Sequence, residues 1–258
     1  MSGARDTYEI RVNEVINFVE AHYSERLLLE KLADVAHFSP FHFHRIFNAF
    51  TGETPHAYLT RIRLEKSIAL IERGSRSLTE IALDCGFASG SDLSRSFKQQ
   101  YGFSPKGYSR ERMLQESKIR QELLGNAGYA NPMNSDAVAD GFRVTVAEQP
   151  AMRIAYVRVI GGFRPERILS GLERLLDWSK AHGFYPGNKL IGRSKDNPGT
   201  TPKSKYRYDW CMEIPEDFKP DREVSYGRIP AHKFALLRGR YPESVSGLVL
   251  HVPGLATG

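Results

Sequence analysis

The chain has 258 residues, of which 41% are apolar and 26% charged, with a net charge of +6. That size and balance fit two ordinary globular domains; no apolar run reaches the ~18 residues that a bilayer-spanning helix needs, and the N-terminal MSGARDTYEI lacks the apolar core of a signal peptide. The two cysteines, Cys85 and Cys211, exclude a disulfide framework or zinc knuckle and fit a reducing cytoplasm, while the basic balance permits an anionic partner such as nucleic acid without requiring one.

In chain order, the first ~120 residues read as helices. RVNEVINFVEAHY (11–23) places Val12, Val15, Ile16 and Val19 at helical spacing, and LLLEKLADVAHF (27–38) repeats the pattern. A further helix is expected from Ser39 as N-cap and Pro40 as first helical residue. Thr54 and Pro55 open a longer one that Gly74 stops. Ser77 caps LTEIALDCGF, a helix follows from about Ser89, and Pro105 opens KGYSRERMLQESKIRQELL. GNAGYANPMNSDAVADG (125–141) has no periodic apolar face and reads as linker. Beyond it, FRVTVAEQ (142–149) and MRIAYVRVI (152–160) alternate as strands do. RPERILSGLERLLDWSKAHG (164–183) is amphipathic, YRYDWCMEI (206–214) is a strand, and 223–239 supplies two more. The second half is therefore α+β.

The first half contains an internal repeat. Leu29, Ala33 and Phe38 match Leu78, Ala82 and Phe87 at an offset of 49; Arg45, Phe47, Gly52, Pro55 and Tyr58 match Arg95, Phe97, Gly102, Pro105 and Tyr108 at an offset of 50. One helix–turn–helix unit is made twice, the architecture that lays its second helix in a DNA major groove. In the first such helix, Phe43, Ile46, Phe47 and Phe50 form one face, expected to be core. Phe41, His44, Arg45 and Asn48 form another, expected to face outward. In the second unit, Leu93, Ser96, Phe97 and Gln100 replace the core face, and Ser91, Ser94, Arg95 and Lys98 the outer one. Both outer faces carry arginine at the same position, the side chain best shaped to bind guanine O6 and N7. His42 and His44, two residues apart on a helix, diverge and have no completing set, so no metal is expected. The ~19-residue connecting helix is ~28 Å long; it can hold two reading helices about one DNA turn, ~34 Å, apart. Tyr58, Arg61, Arg63, Lys106 and Arg110 lie near helix starts, where phosphates bind well.

Residues 8–112 resemble the DNA-binding domain of the AraC/XylS transcription regulators. LEKLADVAHFSPFHFHRIFNAFTGETPHAYLTRIRLEKSIALI and SLTEIALDCGFASGSDLSRSFKQQYGFSPKGYSR carry the resemblance. It implies seven helices, two helix-turn-helix units and bacterial origin. It places Phe41, His44, Arg45, Ser91, Ser94 and Arg95 against bases. Ser39, Asn48, Arg61, Ser89, Gly90, Lys98 and Lys106 fall to the DNA backbone, Gly90 being short for a base contact.

Residues 142–240 resemble a GyrI-like effector domain of the kind fused behind this module in Rob-type multidrug regulators. MRIAYVRVIGGF, DWSKAHG, KYRYDWCMEI and GRIPAHKFALLRGRYPES carry this further resemblance. It implies paired strand–helix–strand repeats and a cleft for amphipathic cationic or drug-like molecules. Tyr156, Phe163, Tyr208, Trp210 and Glu213 are the ligand candidates. Tyr208, Trp210 and Met212 share one face of their strand and Asp209, Cys211 and Glu213 the other, so one set is core. The tail SVSGLVLHVPGLATG holds no amphipathic helix of adequate length, and the repeat it belongs to is expected to be truncated or altered by a frameshift. The expected domains are 1–120, a linker at 121–141, and 142–258. The expected partners are two successive major grooves of double-stranded DNA, RNA polymerase and a small-molecule effector, with no cofactor and no membrane, the protein acting as monomer or dimer in the cytoplasm at the nucleoid. A small-molecule hydrolase and a non-specific DNA binder are the competing readings. No nucleophile–base pair or Gly-x-Ser-x-Gly supports the hydrolase.

Overall fold

The computed structural model describes residues 2–74, 76–109, 143–161, 164–197 and 199–238. The chain divides into two compact units, residues 1–124 with 198–205, and residues 125–197 with 206–258. The expected linker at 121–141, the helix expected to continue past Ser109, and the tail read as truncated lie outside the described residues.

The described helical part of the first unit runs α1 (Ser2–His22), α2 (Leu29–Val35), α3 (Pro40–Thr51), α4 (Pro55–Arg73), α5 (Leu78–Asp84) and α6 (Gly90–Tyr101), then a 3-10 turn at Pro105–Gly107. The apolar stripe of α1, Val12, Val15, Ile16 and Val19, is at most 1% exposed. Thr54 caps α4 by accepting from the Ala57 N–H at 3.2 Å. Ser77 and Glu80 close a reciprocal capping box on α5. Ser39 occupies the N-cap position of α3 but its side chain makes no capping bond; proline at the first helical position already removes one orphan donor.

The two helix–turn–helix units match in backbone detail as well as in sequence. In the first turn the Phe38 N–H donates to Ala33 O at 3.0 Å, and in the other the Phe87 N–H donates to Ala82 O at 2.9 Å. Both alanines are 0% exposed, which lets the paired helices approach closely. The residue before each phenylalanine is left-handed: His37 at φ +52° and Gly86 at φ +80°. At Gly86 a side chain is impossible for a further reason, since a Cβ would lie 2.7 Å from Ser24 O. The α5–α6 core comprises Leu64, Ile68, Ile81, Ala82, Cys85, Phe87, Leu93, Phe97, Tyr101 and Phe103.

In the second unit, β1 (Arg143–Gln149) pairs with β6 (His232–Arg238), and β3 (Leu190–Ser194), β4 (Arg207–Glu213), β2 (Met152–Ile160) and β5 (Ser225–Ile229) form a sheet in that order, all antiparallel. Helix α7 (Pro165–Ala181) follows β2 and packs on β2 and β4. The ladder β2–β5 gives way to β1–β6 where Pro150-Ala151 and Pro230-Ala231 interrupt both strands, as expected for prolines, which cannot donate to a ladder. Strand β3 has no counterpart in the strands expected from the sequence. It pairs with β4 with Gly192 opposite Trp210; a Cβ at Gly192 would overlap the Tyr208 hydroxyl and lie 3.0 Å from Trp210 Cζ3.

Candidate nucleic-acid interface

Helix α3 divides into two faces. Phe43 and Phe47 are 0% exposed, with Ile46 and Phe50 half-buried beside them. Phe41, His44, Arg45 and Asn48 are exposed, Phe41 to 77%. Helix α6 repeats the division: Leu93 and Phe97 are 0% exposed, while Ser91, Arg95 and Lys98 face solvent. The side chains of Arg45, Arg95, Asn48 and Lys98 make no ion pair or hydrogen bond among the described residues. A 77%-exposed phenylalanine beside an unpaired guanidinium gains nothing for the fold; the combination suits a partner with apolar and acceptor groups side by side, as base edges present them.

The start of α6 is arranged differently. Ser89 accepts from the Asp92 N–H at 3.1 Å, and the half-buried Ser94 hydroxyl donates to Gly90 O at 2.8 Å. Gly90, placed by sequence against the DNA backbone, also has an internal reason: a Cβ would lie 3.2 Å from Thr79 Oγ1. Leu78, Thr79, Ser89, Gly90, Ser91 and Ser94 line an open depression of about 500 Å³ there. Ser39 and Lys106 are exposed.

Arg61 overturns its expected role. It is 4% exposed and sits between two carboxylates, with Nη2 at 2.6 Å from Glu53 and Nη1 at 3.0 Å from Glu65. Burial alone would lower the guanidinium pKa; Glu65 and Glu53 more than offset it, and the net shift is upward. A cation so enclosed is not available to phosphate. Tyr58, 1% exposed, and Arg63, which donates to Tyr23 O and Glu25 O at 2.7 Å each, are likewise structural. Arg110 lies outside the described residues.

The ligand candidates of the second unit fall on both faces of its sheet. Trp210 lies on the α7 face, where its indole N–H donates to Ile168 O at 2.8 Å; Tyr208 packs beside it with ring centroids 5.1 Å apart. Tyr156, paired with Cys211 in register, lies on the opposite face with Met152, Ile154, Cys211 and Ile229. Glu213 shares that face by its register with Ile154 and is half-buried. Phe163 lies outside the described residues. The sequence reading missed the buried charges on this face. Arg158 grips Asp209 with Nε and Nη2 at 2.7 and 2.8 Å, and Arg207 donates to Asp196 through Nε and its backbone N–H at 2.9 and 2.6 Å. Among the described residues no three His, Cys, Asp or Glu side chains converge as metal ligands.

Two family models match the chain in separate stretches. A helix-turn-helix domain family model matches residues 32–111, and a GyrI-like small molecule binding domain model matches residues 143–248. The HTH-type transcriptional activator RhaS of Escherichia fergusonii is 37% identical over 98 residues, 38% of this chain and 35% of that protein. The probable transcriptional regulator LumQ of Photobacterium leiognathi is 35% identical over 100 residues, 38% of this chain and 40% of that protein. The chain thus spans well under half the length of these curated relatives. The DNA-binding domain of AdpA, a global transcriptional factor solved in complex with a target DNA, is 29% identical, with 45% of this chain and 97% of that chain covered and a TM-score of 0.36.

Proposed function

We propose, from the premise that this chain joins an AraC-type helix-turn-helix domain to a GyrI-like small-molecule binding domain, that it is a sequence-specific transcription regulator of bacterial type. It reads two successive major grooves of double-stranded DNA with α3 and α6 and responds to a small effector through the second domain. The observation that carries the reading is the exposed arginine, unpartnered among the described residues, at the same place in both copies of the unit, Arg45 and Arg95. Phe41, His44 and Arg45 take base edges from α3; Ser91, Ser94 and Arg95 do so from α6. Ser39, Asn48, Ser89, Gly90, Lys98 and Lys106 hold the backbone. The domain boundaries are those of the sequence, 1–120 and 142–258, on either side of a linker.

The regulator acts in the cytoplasm, in contact with RNA polymerase, as monomer or dimer, and is not an enzyme. Of the effector candidates, Tyr156 is 3% exposed within an apolar cluster, whereas Tyr208, Trp210 and Glu213 are half-buried and better placed to meet a ligand. Footprinting with the full chain tests this reading. Two protected stretches about one turn, ~34 Å, apart on one side of the duplex are expected; uniform protection along any sequence would contradict it.

A further inference from the structure

We propose that Arg61 is a positioning residue for the first reading helix, a guanidinium clasp that fixes the angle between α3 and α4; the proposal rests on α3 and α6 being the DNA readers. Helix α3 ends at Thr51, whose hydroxyl donates to Phe47 O at 2.8 Å and accepts from the Glu53 N–H at 3.3 Å. Glu53 is therefore fastened to the last turn of α3. Its carboxylate accepts from Arg61 Nη2 at 2.6 Å and from Nε at 3.1 and 3.2 Å. The remaining arm of the fork, Nη1, reaches Glu65 on α4 at 3.0 Å. The guanidinium lies 4.9 Å over the Tyr58 ring, and that ring meets Phe47 of α3 edge-on at 5.4 Å. Arg61 thus joins the end of α3 to the first turns of α4 through two different contacts.

In the other copy, among the described residues, aromatic rings stand at the place of Glu53. At the offset of 50, Glu53 corresponds to Phe103. Phe103 is 5% exposed and meets Phe97 of α6 edge-on at 5.9 Å, with Tyr108 on the same ring at 6.4 Å. Among the described residues, the first reading helix has a planar ionic fork where the second has packed rings. The fork has direction. Its planar donors meet a carboxylate in one orientation, which an ammonium does not enforce. Arg45 and Asn48 lie on the exposed face of α3, away from the buried Phe43 and Phe47, so a rotation at the clasp displaces them from the base edges. Geometry this far from a contact governs it when the supporting residues set the angle.

The test uses the full chain on an operator selected from random DNA. The Arg45→Ala and Arg95→Ala variants assign each half-site to its helix by footprinting. Arg61→Lys keeps the charge and removes the fork. It is expected to weaken protection at the Arg45 half-site by roughly 2- to 30-fold and to leave the Arg95 half-site unchanged. Glu53→Gln, which keeps a hydrogen bond to Arg61 and the Arg61–Glu65 pair, is expected to change the same half-site in the same direction. It serves as the readout if Arg61→Lys does not fold. Equal weakening at both half-sites, or none at either, would overturn the proposal as a mere stability effect or no effect. A parent protein without two separable half-sites removes the two-helix reading itself, and the clasp with it.

Discussion

Replacing Arg45 or Arg95 by alanine separates binding from folding, because neither side chain has a partner to lose among the described residues. Both are exposed and unpaired among the described residues, so the change in fold stability should stay within about 0.5 kcal/mol. All of the larger effect then belongs to DNA. A lost bidentate guanine contact costs about 1–3 kcal/mol, which is roughly 5- to 150-fold in affinity. Fluorescence anisotropy titration on the selected site, alongside thermal melts, reads both quantities. Arg61→Met supplies the contrast. Removing the cation leaves two half-buried carboxylates facing each other and should cost about 3–5 kcal/mol of stability. Parent-like binding by Arg45→Ala and Arg95→Ala, or a melting point lowered as far as that of Arg61→Met, would contradict a DNA-facing role for these arginines.

Lys98→Ala, on the exposed end of α6, should weaken binding across sequences and reduce the salt slope by about 1; an unchanged slope would remove Lys98 from the phosphate contacts. His37 holds a left-handed φ of +52° where the other unit has glycine, so His37→Gly should raise stability by up to about 1 kcal/mol in urea denaturation; a clear loss would mean that its ring contributes more than its backbone costs. Asp221 accepts from the Trp178 indole at 2.7 Å and from the Tyr226 hydroxyl and Glu223 N–H at 2.9 Å each. Burial alone would raise its pKa, but these bonds and His182 hold it below the usual carboxylate range. A depressed carboxyl contributes stability above its unfolded pKa of ~3.9 that is lost as pH falls through the folded value. Asp221→Asn should therefore abolish an acid transition in Trp178 fluorescence below about pH 4, and superimposable titrations of parent and variant would exclude it. Burial pushes the Cys85 thiol up to about 11 and the Cys211 thiol up to about 12, so thiol reagents at neutral pH should modify neither until the protein unfolds.

The duplicated unit was legible because its constraints are local. Ala33 and Ala82 must be small where helices meet, and Phe38 and Phe87 each close a turn by the same backbone bond. The core and outer faces of α3 followed from 3.6-residue spacing alone. What the sequence concealed was decided by partners far along the chain. Arg61 near a helix start reads as a phosphate ligand; its true partner, Glu53, lies across a turn on the other side of the threonine cap. The two faces of β4 carry similar aromatic and charged content, and only the packing of α7 on β2 and β4 makes Trp210 a helix anchor. LIGRS is too short and too interrupted by glycine to alternate, yet that glycine is what admits Tyr208 and Trp210 over the strand. Arg158 and Asp209 stand on separate strands with no spacing to link them, and become one buried pair only when β2 and β4 come into register.

The most direct test of the account is selection of bound DNA from a random library with the full chain, repeated at two salt concentrations and with residues 1–125. A bipartite motif with half-sites about one helical turn apart, retained at the higher salt, is the predicted result. Binding that fades with salt and enriches no motif would contradict a two-helix reader and leave a non-specific DNA binder.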